Sequence, residues 1–155
     1  MRPEMKRIIA VIGPGTASEE TINEAEEVGR LIARRNAILL CGGLGGVMEA
    51  AARGAQIEGG ITLGILPGSE RGSANSFITI PVATGFGDGR NVIIVRTADA
   101  VIAVGGAYGT LSEIAFGLKM GKPVIGLHTW EVKGIQHAVS AEDAVSKAFQ
   151  TLEGP

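Results

Sequence analysis

The segment richest in chemistry is Val104-Gly105-Gly106-Ala107-Tyr108-Gly109-Thr110-Leu111-Ser112-Glu113. Glycines at Gly105, Gly106 and Gly109 let the chain turn sharply and bare its amides, and a helix opening at Thr110 adds a positive dipole end and a hydroxyl. These groups form a cradle for a monophosphate or a carboxylate. Glu113 is the awkward residue, because a carboxylate in a first helical turn repels a phosphate that it faces. Two readings stand: a Thr110–Glu113 capping box with the glutamate folded back onto the helix start, or a glutamate directed at the ligand. Gly13-Pro14-Gly15-Thr16 and Gly42-Gly43-Leu44-Gly45-Gly46 are glycine-rich segments of the same kind.

Other phosphate chemistries fail on the residues. Gly13 and Gly15 supply the first two glycines of a dinucleotide fingerprint, but Ser18 stands in place of the third. No acid follows the second strand to grip a ribose diol. Gly121-Lys122-Pro123 has a Walker-like Gly-Lys, yet Phe116 replaces the earlier glycine and Pro123 the magnesium-binding hydroxyl. Lys122 is then a solvated residue in a turn. His128 and His137 have no cysteine or carboxylate at a ligand spacing, so no metal site is expected.

The elements that must carry these residues follow from short β-branched runs alternating with longer amphipathic or alanine-rich ones. Strands are expected over 7–12, 37–41, 61–66, 77–82, 99–104 and 123–127, with a weak edge strand over 135–139. Helices are expected over 18–35, with a Thr16–Glu19 capping box, over 47–58, and over 88–97 with Asp88 as N-cap. Two more are expected over 110–120 and from the Ser140/Asp143 cap to Leu152. Such βα alternation implies an α/β doubly wound, mostly parallel sheet with helices on both faces, residues 1–155 forming a single domain. All three glycine segments then end a strand and precede a helix, at the sheet edge where ligands bind in this architecture.

Composition narrows the partners. Glycine, at 24 of 155 residues, is about twice its usual share. A net charge of -2 gives no bulk field to attract nucleic acid or an anionic membrane. One cysteine and no long apolar run fit a soluble, cytoplasmic protein. Cys41, at a buried strand end with no activating histidine, reads as an inert small hydrophobe.

The sequence also resembles a known family. Gly42-Gly43-Leu44-Gly45-Gly46-Val47-Met48, Gly64-Ile65-Leu66-Pro67, Arg90 and Gly106-Ala107-Tyr108-Gly109-Thr110-Leu111-Ser112-Glu113 occur in the order seen in the LONELY GUY phosphoribohydrolases, long mislabelled as lysine decarboxylases. The resemblance implies a Rossmann-like fold, a homodimer or higher homo-oligomer, and Arg90 and Glu113 as the catalytic pair. The implied reaction is hydrolysis of the N-glycosidic bond of a nucleoside 5'-monophosphate, a carboxylate stabilising the oxocarbenium-like transition state. Two departures stand out: Val104 precedes Gly105-Gly106 where the hydrolases have proline, and Asn91 follows Arg90 where they have lysine. In these respects the chain is closer to the small branch that contains molybdenum-cofactor carrier proteins.

The expected function is accordingly binding of a small phosphorylated molecule without turnover, with hydrolysis as the alternative. The bound molecule is a nucleoside monophosphate or a molybdopterin-type cofactor, and no motif requires a resident cofactor. The expected contacts come from Gly13, Gly15, Thr16, Gly42, Gly43, Gly45, Gly46, Gly105, Gly106, Tyr108, Gly109 and Thr110. An Asp88–Arg90 surface pair is the plainer reading of Arg90. Tyr108 offers either a stacking surface or loop packing. Trp130 lines the same edge or an oligomer contact, and Glu70, Arg71, Ser73 and Asn75 form a cover over the ligand or a solvated loop. The run Val92-Ile93-Ile94-Val95, apolar round most of its helix, is expected to be buried against a second subunit.

Overall fold

The computed structural model describes residues 3–154. Its elements alternate as expected. They run β1 (Ile8–Ile12), α1 (Glu19–Arg34), β2 (Ile38–Cys41), α2 (Val47–Ile57), β3 (Thr62–Leu66), β4 (Ile80–Ala83), α3 (Arg90–Thr97), β5 (Ala100–Val104), α4 (Tyr108–Lys119), β6 (Val124–Leu127), β7 (Gln136–Ala138) and α5 (Ala141–Glu153). The strands form one sheet in the order β4-β3-β2-β1-β5-β6-β7, every neighbouring pair parallel. This is a Rossmann-like, doubly wound sheet. Its central strands are buried runs of Ile, Val, Leu and Ala, the composition a sheet covered on both faces demands.

One face packs against α1, α2 and α5, the other against α3 and α4. Part of the glycine excess belongs to this packing. A methyl group at Gly29 would collide with the Ala51 carbonyl and one at Gly54 with the Glu26 carbonyl, so these glycines let α1 and α2 approach backbone to backbone. The strand order reverses between β1 and β5, which leaves a crevice beyond their C-terminal ends.

Several local expectations are corrected. Helix α1 is capped by Ser18, whose side chain accepts from the Thr21 amide, rather than by a box starting at Thr16. Asp88 caps nothing: it lies in a 3-10 turn over Gly87–Gly89, and Gly89 precedes α3. Strand β4 starts three residues late; ahead of it the Thr62 hydroxyl donates to the Phe77 carbonyl at 2.6 Å and accepts from the Thr79 amide at 2.7 Å, which it shares with the Thr62 carbonyl at 3.1 Å. Lys122 is not merely solvated; its Nζ donates to the Arg96 and Ala98 carbonyls at 3.1 and 2.7 Å, capping α3. Ile94 and Val95, expected to need a second subunit, are already buried within the chain beneath α4. Among the described residues, no helix is long and apolar enough to cross a membrane.

Candidate functional site

The crevice between β1 and β5 is built by loops that only glycine permits. A Cβ at Gly13 would strike the Val104 carbonyl and lie 2.6 Å from Val47 Cγ1, so the ends of β1 and β5 and the start of α2 meet there. Gly46 adopts φ +62, and a side chain on it would strike the Pro14 carbonyl. That same carbonyl accepts from the Val47 amide at 3.0 Å. The first two glycine segments are thus in backbone contact. Gly42 plays a different part, since an added Cβ would lie 2.8 Å from both terminal nitrogens of Arg90. The guanidinium rests on the bare backbone of β2's exit.

These elements enclose a cavity of about 230 Å³. Gly13, Gly15, Gly42, Arg90, Gly109, Thr110 and Glu113, all singled out in the sequence, line it, together with Asp88, Asn91 and Met48. Thr16, Gly43, Gly45, Gly46, Gly105, Gly106 and Tyr108 are not among the lining residues. Gly43, at φ +78, packs against Leu66, and Gly105, at φ +70, donates its amide to the Leu127 carbonyl at 3.1 Å. Gly45 faces the Gly15 carbonyl, and Gly106 lies under the Trp130 indole. Their role is to shape the loops. Thr16 is exposed.

Helix α4 starts two residues earlier than its sequence pattern indicates. Ala107, extended at φ -134 and ψ 179, is its N-cap and contributes no side-chain cap. The Tyr108, Gly109 and Thr110 amides therefore have no intrahelical acceptor and no capping oxygen. The Thr110–Glu113 capping box is absent, because Thr110 is already the third residue of the helix. Thr110 is 2% exposed and its hydroxyl has no partner. Arg90 Nε is likewise buried and unpaired. Two orphaned polar atoms on residues that line one small cavity are unusual, since buried polar groups are nearly always satisfied.

Glu113, 6% exposed, lies in the same cavity. Burial pushes its carboxyl up to about 7, against a smaller downward pull from the Arg90 charge. The Cys41 thiol is pushed up to about 11 by burial, which matches its reading as inert. Arg90 forms no ion pair with Asp88; its Nη1 donates to Asn91 Oδ1 at 2.7 Å. Asn91 Nδ2 donates in turn to Ser112 Oγ at 3.3 Å, and that hydroxyl donates to the Gly109 carbonyl at 2.7 Å. A chain of hydrogen bonds so connects Arg90 to the first turn of α4. Sequence reasoning gave Asn91 and Ser112 no part in the site, because they come together only where α3 and α4 pack side by side.

The loop over 69–76 does not line the cavity. Its Asn75 clamps the second glycine segment instead, donating from its backbone to the Gly43 carbonyl at 2.9 Å and from Nδ2 to the Leu44 carbonyl at 2.8 Å. Tyr108 is 82% exposed and stacks on Trp130 with ring centroids 5.9 Å apart. The indole is fixed by a 3.0 Å bond to the Ala107 carbonyl. Among the described residues no group of three or more His, Cys, Asp or Glu is placed to hold a metal ion.

The sequence profile of the SLOG cluster4 family matches residues 6–153. The chain belongs to the SLOG cluster4 family. An uncharacterised protein of Archaeoglobus fulgidus is 49% identical over 139 residues, 89% of this chain and 91% of its own. The molybdenum cofactor binding protein of Rippkaea orientalis superimposes with a TM-score of 0.92 at 36% identity, over 97% of this chain and 99% of that one. The molybdenum cofactor carrier protein of Chlamydomonas reinhardtii gives 0.87 at 34%, over 96% and 99%. This SLOG cluster4 chain is thus similar to both proteins over nearly its whole length.

Proposed function

We propose that the chain binds a small phosphorylated molecule, of the molybdopterin-cofactor or mononucleotide class, with its anionic end in the cavity between β1 and β5. The observation that carries this reading is the pair of orphaned donors, Thr110 Oγ1 and Arg90 Nε, beside the uncapped amides of α4. An anion with several acceptor oxygens satisfies all of them together, and the helix dipole favours its charge. The similarity to proteins that bind or carry the molybdenum cofactor supports the same class. A molybdopterin-type cofactor would bring the redox chemistry of its metal; Arg90, Thr110 and the α4 amides would hold its phosphate. At about 230 Å³ the cavity takes the anionic end only, below the ~300–1,000 Å³ of whole-ligand sites.

Titration with ribose 5-phosphate and a panel of nucleoside monophosphates tests the reading. Measurable heat and a ligand-induced rise in melting temperature are expected, both weakened in Thr110→Val. No heat and no thermal shift with any phosphorylated compound overturns it.

A second reading, hydrolysis of a nucleoside 5'-monophosphate, draws on the joint presence of Glu113 and Arg90 in this cavity. A carboxyl that titrates near neutrality is suited to moving a proton. Release of free base that Glu113→Gln abolishes while binding persists would establish turnover, whereas binding without base release leaves a carrier.

A further inference from the structure

A second cavity, of about 550 Å³, opens beside the first and shares Asp88, Asn91 and Gly109 with it. Tyr108, Val92 and Phe116 form its remaining apolar lining. Tyr108 has one ring face against Trp130 and is otherwise open, which is the arrangement of a stacking platform whose lower ring is immobilised. Asp88 stands at the seam of the two cavities, and among the described residues its carboxylate takes part in no hydrogen bond or ion pair. The residue is exposed, so its carboxylate is open to accept from N–H donors that a ligand brings.

We propose that this second cavity seats the body of the same ligand, a planar heterocycle that lies on Tyr108 and turns an edge of adjacent ring N–H and amino groups toward Asp88. The inference rests on the phosphate reading above and adds the ligand's organic class. A 2-amino-4-oxo ring, as in guanine, presents a ring N–H and an amino group side by side to one carboxylate. Hypoxanthine keeps the ring N–H and loses the amino group. Adenine has an acceptor where that ring N–H would stand and repels the carboxylate. Gly109, which has nothing within 4 Å of where a side chain would begin, leaves the passage between the cavities open.

The test is calorimetric titration of the full chain with GMP, IMP, AMP and ribose 5-phosphate. GMP is expected to bind about tenfold more tightly than IMP, and AMP more weakly than IMP. Tyr108→Ala is expected to lower GMP affinity about tenfold more than ribose 5-phosphate affinity, the loss typical of one stacked base. Asp88→Asn should narrow the GMP-to-IMP ratio toward one, with circular dichroism and melting temperature showing an intact fold. Equal binding of GMP, IMP and AMP, or an equal loss of GMP and ribose 5-phosphate in Tyr108→Ala, overturns the proposal and leaves the phosphate reading standing. Failure of ribose 5-phosphate and all three nucleotides to bind overturns both.

Discussion

Arg90 and Asn91, neighbours in the chain, are also neighbours in space: Nη1 of the arginine donates to Oδ1 of the asparagine at 2.7 Å. The amide thereby fixes the direction of the guanidinium and, through Ser112, links it to the turn that presents the α4 amides. Asn91→Ala should lower affinity for ribose 5-phosphate about three- to tenfold, the worth of one ordinary hydrogen bond, as read by calorimetry. An unchanged affinity would mean that Arg90 needs no such guide.

Thr110→Val keeps the shape of the side chain and removes its orphaned hydroxyl. An unsatisfied buried polar group costs about 1–3 kcal/mol, so the variant should unfold at a higher temperature than the parent. Its affinity for phosphorylated ligands should fall about tenfold. Gain of stability with loss of binding marks a group kept for function. Loss of both would place the hydroxyl in a structural role instead.

Glu113 gives the protein a pH signature. Its folded-state value, about 7, lies above the ordinary 4.5 because burial disfavours the charged form. The folded state holds its proton more tightly than the unfolded one, so this contribution is complete below about 4.5 and is lost as pH rises to about 7. Glu113→Gln removes the loss. At pH 8 the variant should be more stable by about 2–3 kcal/mol, roughly 5 °C or more in melting temperature, and the two proteins should converge near pH 4.5. Parallel melting curves from pH 4.5 to 8 would exclude the raised carboxyl.

Two glycines of similar appearance in the sequence should behave oppositely. Gly46→Ala forces a side chain into the left-handed region and onto the Pro14 carbonyl, and should cost at least about 2 kcal/mol in denaturant unfolding. Gly109→Ala meets no atom within 4 Å and lies inside α4. It should be neutral or stabilising by up to about 1 kcal/mol, with ligand affinity reduced severalfold because the methyl group intrudes between the two cavities.

The strands and the sheet class were legible because each strand is a short β-branched run and each helix an amphipathic or alanine-rich one, so the local pattern and the tertiary arrangement agree. The meeting of Gly13, Gly42, Arg90, Thr110 and Glu113 was legible through their shared placement after strands and through the family resemblance. What escaped depends on contacts between elements. The side chain of Thr62 bonds to the chain ahead of β4, and Lys122 reaches the end of α3 only because α3 and α4 are adjacent. The start of α4 escaped for a local reason: Tyr108 and Gly109 are poor helix formers, and their helical state is set by Ala107 and the loop that Trp130 braces.

Cys41 lies at the end of β2 with its thiol sealed from solvent and held protonated. Maleimides and peroxide, which attack the exposed thiolate, should pass it by. The wild-type chain is therefore a ready background for reporter chemistry: a new cysteine at an open loop position such as Gly72, where nothing lies within 4 Å, should be the sole point of labelling, with the original one left in place.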